Sequence, residues 1–235
     1  MNIFKKMKFF KFSLALFLFP LCISLSITLY QIMSKSFSLN HSFENSLFFL
    51  IGLTLCLSIF YFIPKPFKIY VLGHELTHAL WAIIMGKKVL NIKVSKKGGH
   101  VEISKSNFWI SLSPYFFPFY TFVCILISLV IYYFFKNLFY EKIFYLFIGL
   151  TWMFHFLFTV EALKTKQSDI TEHGKIFSYF IIYFMNILFI SLGLVFFFKI
   201  NISEFINYFC RTTLDIYIFI IVFFKKILEL LGQLL

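Results

Sequence analysis

Residues 71–84 read VLGHELTHALWAII. Two histidines and a glutamate interrupt an otherwise apolar run, in a chain of 235 residues that is 60% hydrophobic and 14% charged. On a helix, His74 and His78 fall on one face with Cβ atoms about 6 Å apart. Ionisable groups in a bilayer are costly unless they pair or bind something. Three of them within five positions therefore point to a site rather than to ordinary packing. Two imidazoles so spaced can coordinate one zinc ion through nitrogens at about 2.0–2.1 Å. Glu75 is placed to take a proton from water and pass it to a leaving amine. HExxH thus supplies two ligands and a general base, and a third ligand remains to be found.

Working outward, 38 phenylalanines and the scarcity of charge exclude a soluble domain of this size. A bilayer span needs about 20 mostly apolar residues. Residues 9–33, 46–63, 108–135, 139–163 and 176–198 qualify, while 213–224 either spans with help from 227–235 or lies at the interface. The motif segment, 67–85, crosses or dips in and returns. The expected fold is an all-α polytopic membrane protein of about six transmembrane helices, with a re-entrant option for the HExxH helix and one small β-hairpin. It forms a single membrane domain, 1–235, with N-terminal helices at 9–63, a core at 67–198 and a C-terminal segment at 201–235. The basic, apolar N-terminus reads as a retained first helix rather than a cleaved signal. Cys22, Cys56, Cys124 and Cys210 are scattered singly and read as inert buried thiols.

The net charge of +12 resides in lysines that flank apolar spans. They imply orientation and contact with anionic lipid headgroups, and no nucleic-acid motif is present. Lys5, Lys6, Lys8 and Lys11 put the N-terminus in the cytoplasm, and Lys65 and Lys68 bring the chain back to that side before the motif. Pro66 suits the first turn of the motif helix, and Gly86 with Lys87 and Lys88 suits its end. Residues 89–104 alternate apolar and polar around Lys96-Lys97-Gly98-Gly99, which reads as a β-hairpin. Its lysines prefer the cytoplasm, which favours re-entry of the motif helix.

The run GHELTHALWAIIMGKKV, followed by the Gly98-Gly99 hairpin, resembles the site-2 protease class of intramembrane zinc metalloproteases, and in particular its compact bacterial members. The resemblance covers residues 71–186 and is carried mainly by HExxH. It implies one zinc ion, transmembrane protein substrates, a multi-pass position in a bacterial plasma membrane, and a distant aspartate as third ligand. Asp169, 91 residues after His78 in KTKQSDITEHGKIFS, matches that aspartate. The class's Asn-Pro and Leu-Asp-Gly signatures are absent, and Gly174 stands five residues beyond Asp169 instead of next to it.

The residues themselves leave the third ligand open among Asp169, His155, Glu161 and Glu172. Asp169 and Asp215 are the chain's two aspartates, and Asp215 lies near the C-terminus. An ordinary helix N-cap is the alternative for Asp169. His155 reads as an orienting partner of the site, a ligand, or an interhelical hydrogen bond. Asn186 reads as an oxyanion donor or as helix–helix glue. Gly98 and Gly99 read as a strand edge for substrate or as a plain turn. Ser113-Pro114-Tyr115-Phe116-Phe117-Pro118 should bend its helix, and His41, His100 and His173 read as solvated loop residues. A non-catalytic scaffold and a proton- or cation-coupled transporter are the rival functions. The first needs no Glu75, and the second needs polar residues reaching both membrane faces.

Overall fold

The computed structural model describes residues 3–38, 43–95, 98–135, 139–197 and 200–234, and divides into two compact units, Ser42–His173 and Met1–His41 with Gly174–Leu235. The expected core at 67–198 therefore contributes to both units.

In Ser42–His173 the chain forms α2 (Phe43–Phe62), α3 (Phe67–Ile84), β1 (Val89–Ser95), β2 (Gly98–Ile103), α4 (Phe108–Leu112), a single 3-10 turn (Ser113–Tyr115), α5 (Phe119–Phe135), α6 (Phe139–Leu163) and α7 (Ser168–His173). The α2–α6 pair is built on two glycines. A Cβ at Gly52 would strike the Leu146 carbonyl, and one at Gly149 would strike that of Phe49. Lipid tails are as apolar as leucine, so such helices gain from close backbone approach rather than from burial. At one end of the pair, Lys142 bridges to Glu44 at 2.6 Å; at the other, Lys65 bridges to Glu161 at 2.8 Å.

The motif helix α3 begins after Pro66 and stops at a two-bond cap. Gly86 N–H donates to the Ile83 carbonyl at 2.9 Å and Lys87 N–H to that of Ala82 at 2.8 Å. Gly86 has φ +66, the left-handed conformation this cap requires. The chain then enters the antiparallel hairpin, paired from Val89↔Ile103 to Ser95↔Gly98, with an irregularity at Leu90. Gly98, at φ +144, opens the return strand. The lysines at its tip, Lys96 and Lys97, lie outside the described residues, as does His41.

The segment expected as one helix over 108–135 is two, α4 with its 3-10 turn and α5, meeting at 80°. Asn107 starts α4 as an N-cap, its side chain accepting from Ile110 N–H at 3.0 Å. Pro118 lacks an N–H and restricts Phe117 before it, so helix cannot run through.

In the other unit, α1 (Ile3–Ser38) packs with α8 (Lys175–Phe197) and α9 (Ile202–Leu234) around Leu25, Ile32, Val195 and Phe205. Among the described residues, four helical stretches are long and apolar enough to cross a membrane: Phe10–Ser34, Glu44–Phe62, Glu141–Leu163 and Lys175–Phe197. Counting the bent α4–α5 pair makes five. The protein is thus a mostly helical, multi-pass membrane protein with one two-stranded sheet among its described residues. The expected figure of about six counted 213–224 as well. That stretch lies within a single 33-residue helix carrying Arg211, Asp215, Lys225, Lys226 and Glu229. The cysteines are free; Cys22 and Cys56 are buried as expected, but Cys210 is exposed.

Candidate metal centre

Three segments of the unit Ser42–His173 meet at one point. Helix α3 supplies His74 and His78, and the short α7 supplies Asp169 in its first turn. Asp169 Oδ2 lies 3.6 Å from Nε2 of His74 and 3.6 Å from Nε2 of His78. The three candidate ligand atoms lie within 4.8 Å of one another, and this is the one such group among the described residues. The imidazoles are 13% and 12% exposed and the carboxylate 25%, so the cluster is largely shielded from solvent.

Hydrogen bonds to the remaining atoms decide what this cluster can hold. His78 Nδ1 lies 2.8 Å from the Ile110 carbonyl, which can only accept. Nδ1 must therefore carry the proton, and in the neutral ring Nε2 presents a bare lone pair to a carboxylate oxygen. Two acceptors then face each other, and either a proton on Nε2 or a metal ion between them makes the arrangement favourable. The separation of 3.6 Å is too long for a good direct hydrogen bond. It is close to the edge of a tetrahedron with bonds near 2.0–2.1 Å, about 3.3 Å. The residues present fit a four-coordinate divalent ion with two nitrogens, one oxygen and one position open.

The segment Asn107–Tyr115 touches every candidate ligand. The Ile110 carbonyl, which receives His78, also accepts from Ser113 Oγ at 2.9 Å. Tyr115 O–H donates to Asp169 Oδ2 at 3.0 Å, and the Tyr115 ring stands edge-on to His74, with centroids 5.3 Å apart. His74 Nδ1 lies 3.3 Å from the Tyr70 hydroxyl. Burial alone would push the Asp169 carboxyl up, but the two imidazoles beside it hold it well below the usual carboxylate range.

Glu75 is 7% exposed. Its carboxylate lies against the backbone of Gly99, where any Cβ would overlap it. The hairpin therefore runs directly over the general-base candidate, and the close approach needs a residue without a side chain. Gly98 is required by its φ, Gly99 by this contact.

The other candidates fall elsewhere. His155, on α6, is outside the convergent group. It lines, with His74, Tyr70, Thr77 and Tyr120, a cavity of about 30 Å³ on the flank of α3, room for one water. Glu161 is engaged by Lys65 and Lys164, the latter at 3.0 Å, and Glu172 lies 4.0 Å from His173. Asp215 and Asn186 belong to the other unit, where the Asn186 side chain donates to the Ile182 carbonyl of its own helix at 2.8 Å. His100 is exposed on β2, as expected. His173 corrects its expectation: it is 8% exposed, packed edge-on to Phe108 instead of solvated. Tyr115 and the Ile110 carbonyl escaped sequence reasoning. Tyr115 sits in a stretch whose prolines signal only a bend, and a carbonyl's role carries no residue-type signature. No known protein family, curated protein or solved structure shows a significant match to the chain.

Proposed function

We propose that the protein is a zinc-dependent intramembrane endopeptidase, cutting transmembrane protein substrates within or beside the bilayer. The observation that carries this reading is the approach of Asp169 Oδ2, on α7, to within 3.6 Å of His74 and His78 Nε2 on α3, whose HExxH motif also buries Glu75. His74, His78 and Asp169 would hold one zinc ion, which when bound polarises a scissile carbonyl and acidifies water. Glu75 accepts the proton of the attacking water and delivers it to the leaving amine nitrogen. The shielding of the cluster strengthens each of these electrostatic interactions.

A helical substrate keeps its carbonyls in intrahelical bonds and must open before it can react. The two-stranded sheet offers an edge to which an opened segment could pair, with Gly99 immediately over Glu75. Exposed Lys88, Lys93 and Lys105 near this sheet suit anionic headgroups on the cytoplasmic face, with the N-terminus on the same side. The bacterial plasma membrane is the setting implied by the resemblance to site-2 proteases.

The test is cleavage of a transmembrane reporter by purified protein in vesicles with zinc supplied, comparing wild type with Glu75→Gln. Cleavage by wild type alone supports the peptidase. Equal cleavage by both removes the mechanism, and no cleavage by either across a panel of transmembrane reporters favours the scaffold.

A further inference from the structure

The Asp169 carboxylate has two oxygens in different surroundings. Oδ2 faces both imidazoles and accepts the Tyr115 hydroxyl at 3.0 Å, whereas Oδ1 has Ser168 Oγ at 3.4 Å. Tyr115 is itself 0% exposed, with Pro114 before it and its ring against His74. Its hydroxyl is therefore held by a rigid, fully packed segment, while Asp169 sits on a six-residue helix with little stiffness of its own.

We propose that Tyr115 is the positioning residue of the third ligand, fixing the carboxylate so that it binds the metal through Oδ2 alone. This rests on the metal reading above and adds to it a coordination mode. A carboxylate free to rotate can bind through both oxygens and raise the coordination number. One whose Oδ2 is pinned by a buried donor, with Oδ1 turned to Ser168, contributes a single bond and leaves the fourth position for chemistry. Tyr115 also couples two ligands, since the same side chain that orients Asp169 borders the His74 ring. Partners of metal-bound groups typically change metal affinity 10–100-fold when removed.

The experiment compares Tyr115→Phe with wild type in the full-length protein. Tyr120→Phe serves as control, because that hydroxyl donates to the Ile69 carbonyl on α3 and not to a ligand. Zinc affinity is measured by chelator competition, and cobalt(II) is substituted to read geometry from its visible bands. Tyr115→Phe should bind zinc about 10–100-fold more weakly, and its cobalt bands should lose intensity as coordination number rises. The thermal midpoint of the metal-free protein should move no more than it does in Tyr120→Phe. Unchanged affinity and spectrum in Tyr115→Phe, with wild type binding zinc, overturns the positioning role and leaves the metal site standing. A metal-free midpoint that collapses in Tyr115→Phe alone, with the cobalt spectrum of its folded fraction unaltered, makes the tyrosine merely structural and also overturns it. Absence of zinc binding by wild type overturns both proposals.

Discussion

The two units differ in whether their ionisable side chains converge. In Met1–His41 with Gly174–Leu235, hydroxyls and amides mostly turn back on their own helices: Ser26 to the Cys22 carbonyl, Asn186 to Ile182, Ser191 to Ile187, Thr212 to Tyr208. Ser24 and Thr213 meet across α1 and α9. Ser26 also meets Tyr183, and Tyr217 donates to the Phe17 carbonyl, but among the described residues no group of histidines and carboxylates converges there. In Ser42–His173, His74, His78, Asp169 and Tyr115 come from three separate segments and point at a single place. A chain surrounded by lipid can thus silence a polar group by bonding it to the preceding turn. It can also gather several into one cluster, and that alternative costs enough to need a function.

The contrast can be broken by substitution, and the largest effect should come from the proposed general base. Glu75→Gln should lower reporter cleavage about 10²–10⁴-fold, while leaving metal content unchanged as read by elemental analysis. Gly99→Val comes next. A side chain there overlaps the Glu75 carboxylate and displaces it or the strand. A displacement near 1 Å costs on the order of 10² in rate, and steady-state cleavage kinetics would measure it. Wild-type rates in Gly99→Val would mean that the contact is not formed during cleavage.

Gly149→Leu touches neither site nor substrate but pries α6 from α2, and should destabilise by about 1–3 kcal/mol, seen as a lowered thermal midpoint with unchanged metal stoichiometry. The smallest effect belongs to the other unit. Asn186→Ala should cost about 0.6 kcal/mol or less and leave cleavage unaltered. A loss comparable to that of Glu75→Gln would instead restore Asn186 as an oxyanion donor.

The elements that the sequence exposed are those whose physics is local. The apolar spans follow from composition, the end of α3 from Gly86, and the hairpin from alternation around Gly98 and Gly99. HExxH is local too, since five consecutive residues of one helix carry both candidate ligands and the candidate base. Asp169 was reachable through scarcity, with only Asp215 as its rival aspartate. What stayed hidden depends on tertiary placement. The 80° break shows as two prolines but not as an angle. Tyr115 is one of 13 tyrosines in an aromatic-rich chain and gains its role only where α7 passes. His173 looked solvated because its neighbours are polar, yet α4 covers it. The span count was overstated where α9 combines spanning length with a charged stripe.

Metal stoichiometry across the ligand set addresses the central claim most directly. Purified wild type and Glu75→Gln, saturated with zinc and freed of loose metal, should each retain close to one ion per chain. His74→Ala, His78→Ala and Asp169→Ala, folded as judged by their helical signal, should each retain almost none. Full retention by Asp169→Ala, or by the two histidine variants together, would contradict a centre built from these three residues.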